Sequence, residues 1–186
     1  MEMTPFASGT KTTSGPTQTA KHLSARAIVA LRTGFRVERI ALGESDLASS
    51  ITCDWKRARE SCTDDERLVC RAFAFVYGGS LIDQKSATAI TEDIRKELNA
   101  DMMSVQEARE AAVEWGLVPS VMDTNPFAHL GYKLASRIIR ADASLIDQLA
   151  AELHEKKVID EKDLLAWFKD NASPRSLEEM EQSITF

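Results

Sequence analysis

The run from Leu68 to Tyr77 constrains this chain most, because nine of its ten residues are apolar and only Arg71 is charged. Ten residues exceed the length of most buried strands and fall far short of a membrane span. Thr63-Asp64-Asp65-Glu66 stands just ahead and reads as a capping box, with the Thr63 hydroxyl accepting from the Glu66 amide while Glu66 reaches back. The run therefore predicts a helix without a polar face, and such a helix belongs in the centre of a core. Gly78-Gly79 is expected to end it. Cys70, inside the run, reads as a core filler.

Other helices are expected to surround this centre. Ala20 to Arg32 places Leu23, Ala27, Ala30 and Leu31 near one face, with Gly34 as the stop. Leu47, Ile51 and Trp55 recur every four residues, which predicts a helix from Ser45 or Asp46. Ala87, Ile90, Ile94 and Leu98 predict another over Lys85–Asn99. Ser104-Val105-Gln106-Glu107 is a second capping box, and its helix is expected to stop at Gly116. Asn125-Pro126 starts a helix with the stripe Phe127, Leu130, Leu134, Ile138. Leu145, Leu149 and Leu153 mark the next, and Asp160 caps one carrying Leu164, Leu165, Trp167 and Phe168. Ser173-Pro174 opens either a last short helix or a loose acidic tail. Phe35 to Ile40 begins with strand-like alternation and then loses it, so a short strand and an extended connector fit equally.

Glycine (8) and proline (5) are too scarce for a many-turned β fold. The expected fold class is thus all-α, a compact orthogonal bundle of seven to eight short helices, with at most one short strand near residues 35–40. Residues 1–19 form a polar arm rich in Thr, Ser, Gly and Pro, which cannot bury enough apolar area to offset its ordering entropy and is expected to be disordered. Residues 20–172 are expected to make one helical domain, followed by the short C-terminal piece 173–186. In composition the arm resembles the leaders of bacterial type III effectors. No hydrophobic signal or membrane span is read. The expected location is cytoplasmic, and secretion without a hydrophobic signal is compatible with the arm. Three cysteines without a C-x-x-C pair point the same way, to a reducing compartment.

The net charge of −6 is the sum of +1 over residues 1–100 and −7 over residues 101–186, and the acidic second half opposes broad wrapping of nucleic acid. Motifs for chemistry fail one by one. His154-Glu155 begins like a zincin helix, but Val158 stands where the second ligand belongs. Gly78-Gly79-Ser80 lacks the lysine of a phosphate-binding loop, and no G-x-S-x-G elbow occurs. No metal or cofactor is implied. Cys62 is the candidate reactive thiol, since it precedes a predicted helix N-terminus with Lys56, Arg57 and Arg59 upstream; the adjacent Asp64, Asp65 and Glu66 push the other way.

Trp55, Lys56, Arg57 and Arg59, with Arg36 and Arg39 earlier in the chain, form the candidate binding patch for an acidic protein partner or for phosphates. Glu38, Asp54 and Glu60 dilute it. Residues 106–117 resemble the first helix and turn of a helix-turn-helix. The segment that should read bases, Val118 to Asp123, has no Lys, Arg, Gln or Asn. The sequence therefore favours a non-enzymatic protein–protein interaction module acting as a regulator, adaptor or secreted effector. A nucleic-acid-associated regulator using Lys56–Arg59 and a cysteine-dependent enzyme using Cys62 are the alternatives.

Overall fold

In a computed structural model the described residues are 17–43, 49–60, 62–86, 104–175 and 177–181. Residues 1–16 of the arm expected to be disordered over 1–19, and most of the expected helix over 85–99, lie outside them; the end of the arm is corrected, since Thr17 caps the first helix and Gln18 and Thr19 lie in its first turn. The described residues are mostly helical and hold seven α-helices. They are α1 (Gln18–Arg32), α2 (Asp65–Ser86), α3 (104–114), α4 (Asn125–Ala141), α5 (Ala143–Lys156), α6 (Glu161–Asn171) and α7 (Leu177–Glu181).

The fold is not strictly all-α. Three short strands, β1 (Val37–Ala41), β2 (Ser50–Cys53) and β3 (Val158–Asp160), form an antiparallel sheet in the order β2-β1-β3. The helix expected from Ser45 or Asp46 is corrected accordingly. Ile51 and Trp55 do turn inward, but Ser50–Cys53 is extended, and its β-branched Ile51 and Thr52 suit a strand. The broken alternation of residues 35–40 also has a cause. The β1–β2 register shifts between Val37 and Arg39, a bulge that leaves Glu38 and Arg39 both exposed while Val37 and Ile40 point inward.

Two helices share the centre. α1 is buried along most of its length, including Ala27, Ile28, Val29 and Ala30. Thr17 caps it by accepting from the Ala20 amide, and Gly34, at φ +81°, ends it as expected. In α2, Leu68, Val69, Cys70, Phe73 and Val76 are all fully buried. The cap is Asp64 rather than Thr63, because Asp64 Oδ1 accepts from the Arg67 amide at 3.0 Å.

The expected stop at Gly78-Gly79 is also corrected, since α2 runs on to Ser86. These glycines serve approach instead of termination. A Cβ on Gly78 would lie 3.2 Å from the Arg26 Cα, and one on Gly79 would lie 2.2 Å from His22 Nε2. Helix propensity disfavours two glycines here by about 1 kcal/mol each, and the close packing of α1 on α2 overrides it. Gly131 of α4 plays the same part on the other flank, where its Cβ would lie 2.4 Å from the Phe73 Cβ.

α3 stops at Gly116, which has φ +73°, as the sequence predicts. The segment after it is a bend and a 3-10 turn (Val121–Thr124) leading into α4, so no recognition helix follows. α5 ends at Lys157, the one described non-glycine residue with positive φ (65°), and that reversal sends the chain into β3. Asp160 then caps α6 by accepting from the Asp163 amide at 3.0 Å. The last helix begins at Leu177 rather than near Ser173.

Candidate interaction cleft

The residues of the predicted patch sit on three consecutive pieces of backbone. Arg36 directly precedes β1, and Arg39 lies within it. β2 delivers the chain to Asp54 and Trp55, and a 3-10 helix (Lys56–Glu60) follows. Asp54 Oδ1 accepts from the Arg57 amide at 3.3 Å, which starts this tight turn. Trp55 anchors it. Its ring is 5% exposed and meets Trp115 edge-on, with centroids 5.8 Å apart. Sequence spacing could not decide whether the tryptophans face the core or solvent; Trp55 is core, while Trp115 and Trp167 are half-buried.

The six patch residues do not act as one positive field. The Arg59 guanidinium lies 4.6 Å from the Trp115 ring centroid and grips Asp65 with two bonds of 3.0 and 2.9 Å. Arg36 is held by Glu161 at the start of α6 in a two-pronged contact, its Nη2 bonding Oε2 at 2.6 Å. This contact raises the Arg36 guanidinium further above its ordinary range and lowers the Glu161 carboxyl below its own. Lys56 lies 5.8 Å from the Trp55 centroid, with Glu107 at 4.0 Å. Arg39 and Arg57 are exposed, and no side-chain ion pair engages them among the described residues. Sequence reasoning missed Asp65, Glu107 and Glu161 as partners, and the separation of Arg36 from Glu161 by 125 positions hides that pair from any local pattern.

An open cleft of about 430 Å³ lies among these elements, lined by Gly34, Arg36, Glu38, Asp54, Arg57, Ala58 and Glu60. It contains two guanidinium groups against three carboxylates. Arg39, Trp55, Lys56 and Arg59 do not line it.

Cys62 stands beside this region. Its thiol donates to the Asp64 carbonyl at 3.5 Å, and no hydrogen bond joins it to a histidine among the described residues. Burial pushes the thiols of Cys53 and Cys70 up to about 12, which keeps both protonated at neutral pH. No group of three or more metal-binding side chains occurs among the described residues, and no described helix is long and apolar enough to cross a membrane. No protein-family model and no curated protein matches this chain.

Proposed function

We propose that the chain is a protein–protein interaction module and that the cleft around Arg57 is its contact. The observation that carries this reading is the mixed lining, in which Arg36 and Arg57 face a site shared with Glu38, Asp54 and Glu60. Alternating signs of charge complement a partner loop that bears both an acid and a base, and they penalise a uniformly charged ligand such as a phosphate backbone. The preferred contact thus narrows from the Lys56–Arg59 run to Arg57, because Arg59 and Arg36 are already engaged within the chain. An exposed guanidinium beside a turn anchored by buried Trp55 suits an adaptor, regulator or secreted effector. The free cysteines Cys53, Cys62 and Cys70 suit a reducing, cytoplasmic setting.

The test is affinity capture with the full-length chain, with and without nuclease, beside Arg57→Ala and Arg39→Ala. The expected result is a partner that survives nuclease, is lost with Arg57→Ala and is kept with Arg39→Ala. Capture indifferent to Arg57→Ala removes the cleft as the contact. Capture that collapses with nuclease and falls steeply with salt replaces this reading with the nucleic-acid one.

A further inference from the structure

α4 carries no Asp or Glu between Asn125 and Ala141, although the chain holds 29 acids against 23 Lys and Arg. Its basic residues are His129, Lys133, Arg137 and Arg140, and all of them are exposed. At about 100° per residue these positions fall within an arc of about 80°. The opposite side of the helix, with Gly131, Leu134, Ala135, Ile138 and Ile139, is buried, and the close approach of Gly131 to α2 fixes it there. The basic stripe therefore points outward from a firmly seated helix.

On other helices exposed cations meet carboxylates. Lys156 of α5 meets Glu152 one turn back, Lys21 of α1 reaches Asp147 at 2.8 Å, and Arg67 of α2 reaches Asp64 at 3.0 Å. Among the described residues no ion pair engages Lys133 or Arg140. α7 packs on α4, yet it commits its buried Glu181 to Arg71 and Arg67 of α2, and Arg137 donates to the Met180 carbonyl instead. Like charges four positions apart repel on a helix surface, so Lys133 and Arg137 work against α4 as it stands. Arg140, in the last turn, suits the negative end of the helix dipole; Lys133, in mid-helix, has no such reason. A row of carboxylates laid along the stripe removes the repulsion. Tyr132 flanks the row. It is 41% exposed, and its ring is set edge-on against Tyr77 with centroids 5.9 Å apart. A ring braced in this way offers contact area with little rotamer freedom left to lose.

The spacing selects among acidic partners. Four residues of helix advance about 6 Å, so carboxylates recurring every four residues on a second helix stay in step with the stripe. A nucleic acid or an anionic bilayer reaches past the stripe to the rest of residues 101–186, which carry −7 overall. A short helix does not. We propose that the outward stripe of α4, formed by His129, Lys133, Arg137 and Arg140 beside Tyr132, is a docking surface for an acidic helix of a partner protein, with Asp or Glu every three or four residues along one face. No residue of α4 lines the cleft around Arg57, so the two assignments stand or fall separately.

The probe is a fluorescein-labelled alanine-based peptide of about 20 residues, long enough to be helical by itself, with Glu at every third or fourth position along one face. A control peptide has the same composition with its glutamates spread round the helix. Both are titrated by anisotropy into the full-length protein at low salt, where surface charge is least screened. The aligned peptide is expected to bind more tightly than the control. Lys133→Glu/Arg140→Glu is expected to weaken it by about tenfold or more, because each attraction becomes a repulsion. Lys133→Gln/Arg140→Gln, which removes the charges and keeps helix-forming side chains at exposed positions, is expected to weaken it by a smaller factor. Circular dichroism is expected to show the same helix content in both variants. Binding that neither variant weakens overturns the proposal, as does no binding at low salt or equal binding of aligned and control peptides. Loss of binding with Arg57→Ala moves the peptide to the cleft and also overturns it. Oligothymidylate or phosphatidylserine vesicles that bind more tightly than the peptide, and are lost in the charge-reversed variant, overturn the acidic helix in favour of a phosphate-binding surface.

Discussion

Replacing Gly131 by alanine tests the packing argument most directly. The added Cβ would lie 2.4 Å from the Phe73 Cβ, 2.7 Å from the Cys70 carbonyl oxygen and 2.9 Å from the Ala74 nitrogen. Two of these three atoms are backbone, so no rotamer change relieves the contact. Ordinary carbon contacts begin near about 3.5 Å, so α4 must retreat from α2 by roughly 1 Å. A gap of that size forfeits about a quarter to a half of each dispersion contact along the seam. That seam includes Leu134, Ala135, Ile138 and Ile139, all at most 1% exposed. Overpacking costs about 1–3 kcal/mol and at times more, and a clash with backbone belongs at the upper end. Alanine returns about 1 kcal/mol of helix propensity. The expected net loss is about 2–3 kcal/mol, or a melting temperature lower by about 5–10 °C for a chain of this size. Thermal and urea unfolding followed by circular dichroism would measure it. A variant as stable as the wild type would refute the claim that Gly131 sets the distance between these helices, since propensity alone predicts a gain.

Two further outcomes follow from buried polar groups. Arg32 and Asp142, both side chains at most 5% exposed, pair through bonds of 2.8 and 2.9 Å, and Arg32 also donates to the Ser173 carbonyl. Arg32→Ala leaves the Asp142 carboxylate, among the described residues, with Arg175 at 3.5 Å as its remaining ion-pair partner, so urea unfolding should show a loss of about 3–5 kcal/mol. The second concerns alkaline stability. The folded-state pKa of Cys70 is raised from 9.0 to about 12 by burial first, and then by Glu66, Glu181 and Asp64. A raised thiol pKa means the native state holds a proton that the unfolded chain releases, so this contribution is intact below about pH 9 and declines between there and about 12. Cys70→Ala should therefore flatten the alkaline limb of a stability–pH curve by up to about 1.4 kcal/mol per pH unit. An unchanged slope would show that Cys70 ionises as readily when folded as when unfolded.

Local chemistry made much of the helical framework legible. Gly34 and Gly116 end their helices because positive φ suits a residue without a Cβ, and Asp160 caps α6 because a carboxylate two or three positions from free amides finds them without help from the rest of the fold. The apolar run of Leu68–Tyr77 is central because no orientation of that helix could present it to water. The patch residues were findable as residue types in one stretch, with the aromatic Trp55 beside Lys56, Arg57 and Arg59. Their roles were not, because charge alone does not say which arginine is already spoken for.

The sequence by itself determined where most helices begin or stop and which run must be buried, since capping, backbone freedom and apolar periodicity act within a few residues of one another. Only the tertiary structure decided the rest. The same spacing of Ile51 and Trp55 serves a helix or a strand, and pairing with β1 chose the strand. A glycine pair reads as a stop until another helix needs its surface, as His22 and Arg26 of α1 do at Gly79 and Gly78. Arg36 became half of an ion pair, and Glu181 a buried anchor, through partners more than one hundred positions away. These choices depend on which backbones approach closely, and that follows from the energy of the whole packed chain, which no local window contains.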